Sequence, residues 1–425
     1  MMWGVKINRF IALAVAFLIF TLNSSTGIAV EIFVQPGESI QAAINNASSG
    51  DEIVIGSGNY KENIMITKDD LVIRSETGNP EDTIIEAGNS GGNVLYMQAN
   101  NVTIRGIKIR AAEYPEMTGI HMTTCSNCAI SNNDLSENYL GLSLSNSKNN
   151  MVSNNSMNLN ENYGIHLIHS ENNVISNNTA NSNTHGIVLE SNSDDNNLKN
   201  NLANSNFDYG FYIISSGNNT VNNNTAIGNE MGIYAVNSNR SIISGNNVSE
   251  NVKYGIWLSR SNYGTICWNI AKKMSYGIHL DSSDNNRLYG NIIASNIYSG
   301  LSMCRACDNN TVFNNYFNNV YNTNIGNNRN HWNIKRTKGK NIVGGPYIAG
   351  NFWTKPGGNG FSETAPDENK DGIADVVYNE TNVTDYLPLV SVPDPEQELI
   401  LLETPITVSN SSISTSELMV SNNIY

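Results

Sequence analysis

The chain has 425 residues, a formal charge of −14 and a pI of about 4.9, a balance that argues against a nucleic-acid partner. Charged residues make up only 15% of it, against roughly one quarter in an ordinary soluble domain, and asparagine replaces them as the surface polar group. The length would suit about two or three ordinary domains, but a repeat runs through most of the chain and removes the need to divide it.

Residues 1–29 read as a secretory leader. Lys6 and Arg9 supply positive charge, Phe10 to Leu22 is almost wholly apolar, and small residues lead to a cleavage site at Gly27-Ile28-Ala29. The apolar run is short for an uncleaved membrane span. No later stretch is apolar enough to span, so the mature chain is expected to lack a membrane helix. Ser39 to Ala47 is the best helix in the sequence. Ile40, Ala43, Ile44 and Ala47 fall on one face, which suits a cap over the open end of a solenoid. Strands are then expected at Asp51 to Ile55, Asn63 to Ile66 and Leu71 to Arg74.

From Gly119 to Met303 one phrase recurs. Gly119-Ile-His-Met, Gly141-Leu-Ser-Leu, Gly164-Ile-His-Leu and Gly186-Ile-Val-Leu open it. Gly210-Phe-Tyr-Ile, Gly232-Ile-Tyr-Ala, Gly255-Ile-Trp-Leu, Gly277-Ile-His-Leu and Gly300-Leu-Ser-Met complete it. The glycines are 22, 23, 22, 24, 22, 23, 22 and 23 residues apart, a solenoid period. An Asn-Asn turn followed by an apolar residue is locked to each phrase, as in Asn149-Asn150-Met151-Val152 and Asn172-Asn173-Val174-Ile175. Short strands between Asn/Ser/Gly turns, with no helical period, exclude leucine-rich repeats and define an all-β fold, the parallel β-helix. About a dozen rungs of 22–24 residues are expected over 30–335, stacked at about 4.8 Å. Alternation sends the apolar pair of Gly-Ile-x-Leu inward and its middle residue outward. Turn asparagines fall in register, where amides can hydrogen-bond along the stack as ladders. A C-terminal cap is expected at 336–390. The period is lost after Ser391, and 391–425 reads as a mobile tail.

Gln35 to Ile44, Gly50-Asp-Glu-Ile-Val-Ile55, Gly58-Asn-Tyr60 and Glu62-Asn63 resemble the opening of the NosD-like β-helix family, within the pectin-lyase-like fold. Asn101 to Ile109 resembles its next rung. Gly350-Asn-Phe-Trp353, Asp367 to Asp375 and Asp385 to Leu389 resemble its end. The resemblance covers about 31–390 and, with the crossover rule, implies a right-handed solenoid. It also implies a secreted or surface protein, often archaeal. The family takes its name from a periplasmic protein tied to copper-centre assembly in nitrous oxide reductase. Other β-helix relatives bind or cleave polysaccharides.

Several residue sets are candidates for chemistry. The outward column reads His121, Ser143, His166, Val188, Tyr212, Tyr234, Trp257, His279 and Ser302. Tyr212, Tyr234, Trp257 and His279 form an aromatic stripe whose open faces would suit sugar rings. The bland alternative is ring packing over a sheet. His121, His166 and His279 are two and five rungs apart, about 10 and 24 Å, so they share no metal, and copper is not expected. Cys125/Cys128 and Cys304/Cys307 are about eight rungs, or 38 Å, apart, which excludes one shared zinc site. Local disulfides or thiols remain. Asp367, Asn369, Asp371 and Asp375 place oxygen ligands around a turn at Gly372, as a calcium loop does, though Tyr378 stands where an EF-hand needs Glu. Glu190 and Asp281 have no acidic neighbour at the outward position of adjoining rungs, and Asp284 and Asp308 lie off the aromatic face. The pair of carboxylates that glycoside hydrolysis needs is therefore missing there. The disturbed rung at Ala111–Met117, with Glu113 and Glu116 near His121, is the best place for a hidden active site. Asn46, Asn101, Asn154, Asn177, Asn247 and Asn382 head glycosylation sequons. The expectation is a secreted or cell-surface, extracellular or periplasmic, non-catalytic protein that binds a polysaccharide or surface glycan or serves as an envelope scaffold. A copper-assembly factor and a polysaccharide lyase or hydrolase are the alternatives.

Overall fold

The computed structural model describes residues 29–326 and 329–391, so the expected leader, apart from Ala29, and the tail beyond Ser391 lie outside the described residues. The chain winds into a right-handed parallel β-helix with three faces. The first face has 13 parallel strands, from Glu31–Val34 to Thr311–Phe313. The second has 12, from Ile64–Ile66 to Thr323–Ile325, and holds every Gly-Ile-x-Leu phrase. The third has strands only at its ends. Single parallel bridges carry it from Lys108 through Asp134, Ser156, Thr179, Leu202, Thr225 and Asn247 to Ile270.

Register follows the repeat. Ile165 pairs with Ile187, and Leu167 with Leu189. Ile165, Ile187 and Ile256 are all at 0% exposure, as alternation requires. The repeating glycine is explained by space rather than by backbone angle. A Cβ on Gly186 would lie 2.5 Å from the Gly210 carbonyl oxygen and 2.9 Å from Asn206 Nδ2. A side chain there would push apart the strands that give the solenoid its rung spacing.

The asparagines form buried ladders. One runs through Asn133, Asn155, Asn178, Asn201, Asn224, Asn246, Asn269, Asn291, Asn315 and Asn351, each Nδ2 donating to the next Oδ1. Asn178 shows the logic. Its Oδ1 accepts from Asn155 N at 2.9 Å and Asn155 Nδ2 at 3.0 Å, while its own Nδ2 donates to the Val152 carbonyl at 2.9 Å. Corner peptide groups that no strand satisfies are thus satisfied by the neighbouring rung. A serine column does the same from Ser147 to Ser283. Cys125 and Cys307 stand at its two ends. Their thiols donate to the Met97 and Leu280 carbonyls, as Ser170 Oγ donates to Leu144.

Helix α1, Ile40–Asn46, covers the N-terminal opening with Ile40 and Ile44 buried, and Ser39 Oγ caps it by accepting from Ala42 N. The strand Glu31–Val34, which precedes the helix and pairs with Glu52–Ile55, is an addition to the sequence expectation. It is too short for a periodicity argument, and its Phe33 is 52% exposed. At the other end the expected boundary at 335 is crossed. After an antiparallel excursion, Thr337–Lys338 with Tyr347–Ile348, the strand Phe352–Thr354 returns to the third face beside Tyr316–Asn318. Helix α2, Phe361–Thr364, follows. Trp353 closes the core, stacked between Phe317 at 4.6 Å and Tyr378 at 4.3 Å.

Candidate functional site

The outward surface of the second face carries two ring columns, not one. Beside the column of Tyr212, Tyr234, Trp257 and His279 stands a second, formed by the residue before five of the repeat glycines: Tyr163, His185, Tyr209, Tyr254 and Tyr276, with Met231 interrupting it between Tyr209 and Tyr254. The sequence reading followed only the middle residue of Gly-Ile-x-Leu. The signal for the second column was present one residue before five of the nine glycines.

The geometry corrects the expected platform of open ring faces. His185 stacks on Tyr209 at 5.1 Å and 9°, Tyr212 on Tyr234 at 5.4 Å and 12°, and Tyr254 on Tyr276 at 5.1 Å and 16°. Trp257 lies between Tyr234 at 4.5 Å, Tyr254 at 4.8 Å and His279 at 5.5 Å. Rings one rung apart sit at nearly the rung spacing, so they cover one another. What these half-buried residues turn to solvent is ring edges. Trp257 Nε1 is buried with no hydrogen-bond partner among the described residues. At the C-terminal end of the row Tyr298 is 61% exposed and offers the most open ring. The outward column is also interrupted: Ser143, Val188 and Ser302 are buried by their neighbours.

Burial pushes the Tyr209 hydroxyl up to about 12 and raises Tyr212, Tyr234 and Tyr254 as well, so these remain protonated donors at neutral pH. Burial lowers His121, His185 and His279 and favours neutral rings. His166 Nε2 lies 3.1 Å from Glu190 Oε1, and this contact lowers the Glu190 carboxyl. His185 Nε2 is 3.7 Å from Asp208.

The other candidates are placed as follows. Glu113 and Glu116 are exposed in their loop, while His121 stacks on Tyr96. Asp284 and Asp308 continue a corner ladder, Asp284 accepting from Asp308 N at 2.7 Å and Asp308 from Arg329 N at 2.8 Å. The Cys304 and Cys307 sulfurs lie 3.1 Å apart. In the acidic loop Asp367 accepts from Asp371 N and Gly372 N, Asn369 from Asp371 N, and Asp375 from Glu368 N at 2.7 Å. Asp371 accepts from Ile373 N and pairs with Arg336 at 2.7 Å. All four expected ligands thus accept backbone N–H groups of the loop itself.

This ladder-stapled solenoid belongs to the class of right-handed parallel β-helices. A sequence model of the family described as periplasmic copper-binding protein (NosD) matches residues 44–219 and 191–358, and the chain belongs to that family. A cell surface glycoprotein of Methanothermus fervidus is 36% identical over 98 residues, which are 23% of this chain and 15% of that protein. The chain thus spans only a small part of that relative. Among solved structures, a mannuronic acid specific polysaccharide family 6 lyase from human gut microbiota superposes with a TM-score of 0.54 at 13% identity, over 70% of this chain and 83% of the lyase. The Dettilon tailspike protein gives 0.52 at 15%, over 70% and 68%. At such identity the likeness is one of fold. The column histidines occupy separate rungs, and among the described residues no three His, Cys, Asp or Glu side chains converge on one point. Among the described residues no helix is long and apolar enough to cross a membrane.

Proposed function

We propose that this is an exported, cell-surface β-helix protein that holds an extended glycan along its second face. The observation that carries the reading is the double ribbon of ring edges from Tyr163 to Tyr298. Hydroxyl and imidazole groups recur there at about the rung spacing of 4.8 Å, a pitch comparable to one sugar unit of an extended chain. Stacking fixes the rings before binding, so little conformational freedom is lost when a polymer lies along them. The identity to a cell surface glycoprotein and the leader-like N-terminus support export.

The test separates edges from faces. Tyr234→Phe keeps the stack and removes one hydroxyl. On a panel of neutral and acidic polysaccharides it should weaken binding several-fold with an unchanged melting temperature. The proposal fails if the parent protein retains none of the panel, or if Tyr234→Phe, Tyr209→Phe and Tyr254→Phe all bind as the parent does. The covered ring faces favour a second reading, an envelope scaffold in which the ribbon only stiffens the sheet. That reading gains if the phenylalanine variants are silent.

A further inference from the structure

The sequons divide once the fold is known. Asn154, Asn177, Asn218, Asn223 and Asn309 each open an Asn-Asn-Ser/Thr triplet. In every one the first asparagine occupies the left-handed turn position, with φ between 53° and 58°. It is exposed, and its side-chain amide holds no hydrogen bond among the described residues. The second asparagine of the triplet is a buried rung of a ladder. The two neighbours therefore do opposite jobs: one staples the solenoid, and the other presents an unengaged amide to solvent.

Their placement has a direction. Asn218 and Asn309 stand at the corner entering the first face, and Asn154, Asn177 and Asn223 at the corner leaving it. The corner leading into the aromatic face is also rich in asparagine, at Asn158, Asn181 and Asn204, yet none of these heads a sequon. We infer that these five asparagines are N-glycosylation sites and that their glycans flank the first face, leaving the aromatic ribbon uncovered. The donor is a lipid-linked oligosaccharide phosphate. A bond forms between sugar C1 and the asparagine Nδ2, the bond from C1 to the phosphate oxygen breaks, the amide loses one proton, and the lipid phosphate departs. Asn154 and Asn177 are one rung apart, about 4.8 Å, too close for two branched glycans, so they are occupied alternately. Three further sequons are less suited. Asn101 Nδ2 donates to Asp70 at 2.9 Å and Asn382 Nδ2 to the Ile325 carbonyl at 2.9 Å. Asn247 is half-buried, with its Oδ1 accepting from Ser249 N.

The inference rests on the export part of the proposed function, and the experiment keeps the two apart. The full chain is secreted from an N-glycosylating host, once behind its own leader and once behind the host's, and glycopeptides are mapped after enzymatic release in heavy-oxygen water. Occupancy is expected at Asn218, Asn223 and Asn309 and at one of Asn154 or Asn177 per molecule, with little at Asn382. Thr220→Ala and Thr311→Ala leave the turn asparagine in place and should each remove one glycan, with no shift in melting temperature before glycosylation. Protein secreted behind the host leader with none of the five occupied overturns the site assignment. Protein glycosylated behind the host leader but retained in the cell behind its own supports the assignment and overturns export.

Discussion

The middle rungs and the C-terminal end solve the same problem with different residues. Within the solenoid, each corner amide is satisfied by the same residue type one rung on, so Asn178 is to Asn155 what Asn201 is to Asn178. At the last rung there is no next asparagine. Asp385 takes its place, accepting from Asn351 N at 2.8 Å, Trp353 Nε1 at 2.9 Å and Leu387 N at 3.1 Å, with 0% exposure. A repeat can be stapled by copies of one residue. An end needs a group that accepts without passing a donor onward, and a carboxylate is that group.

The largest effect should come from removing that stop. Asp385→Ala leaves several buried N–H groups without acceptors and should destabilise the C-terminal rungs by about 3–5 kcal/mol, read as an early transition in thermal melts. Burial also pushes the Asp385 carboxyl up to about 6, against the pull of its backbone and Trp353 donors. A folded value above the unfolded one means that the folded state holds the proton more tightly. This contribution is therefore complete below the ordinary carboxylate range and is lost as pH rises through about 6. Carboxyls shifted the other way, Asp51 and Glu190, lose stability on acidification instead. The comparison to make is thus between parent and Asp385→Asn. The variant should melt with less dependence on pH between about 4 and 7. Identical profiles would remove Asp385 from the account.

Next comes a mid-solenoid rung. Asn178→Ala deletes a side chain that accepts two hydrogen bonds and donates two, all buried, and should cost about 2–4 kcal/mol. Asn177→Ala, one residue away and exposed, loses only the tolerance of asparagine for its left-handed turn and should cost about 1 kcal/mol. Equal costs at the two positions would show that the ladder contributes no more than the turn.

This contrast also explains how much was legible in the sequence. Gly-Ile-x-Leu and Asn-Asn recur because each rung meets a copy of itself, so spacing alone yields faces, register and ladders. The cap has no period, and the pairing of Asp385 with Asn351 and Trp353 spans more than thirty residues with no local signal. The aromatic site falls between. Its position on the outward face was readable, because alternation decides which residues point out. Ring orientation was not, because it is set by stacking between rungs rather than by anything within one rung. Nor could the pattern tell which asparagine of each pair is buried, since that depends on which corner amide the next rung leaves unsatisfied.

A smaller effect is expected at the ribbon. Open to solvent, Trp257 would be removable without loss. Packed against Tyr234, Tyr254 and His279, it should carry about 1–3 kcal/mol of stacking. Trp257→Ala should therefore lower the melting temperature measurably and raise protease susceptibility near rung 254–259. An unchanged melt would mean that the rings are independent of one another, and the open-platform view would return.

The smallest effect concerns calcium. We propose that the loop from Asp367 to Asp375 takes the ion weakly, because its ligands already hold the loop's own N–H groups and Arg336 already neutralises Asp371. A ligand at ten times its dissociation constant stabilises by only about 1.4 kcal/mol, so the gain in melting temperature should be small. Arg336→Ala uncovers the Asp371 carboxylate and also removes the cation over the Tyr347 ring. It should make the cap more dependent on calcium than the parent, with trypsin cutting near 336–375 faster in chelator and protection restored by added calcium. If neither protein gives a calorimetric calcium signal nor a change in digestion, the carboxylates serve only to close the turn, and the cap stands on Asp385 and its aromatic stack alone.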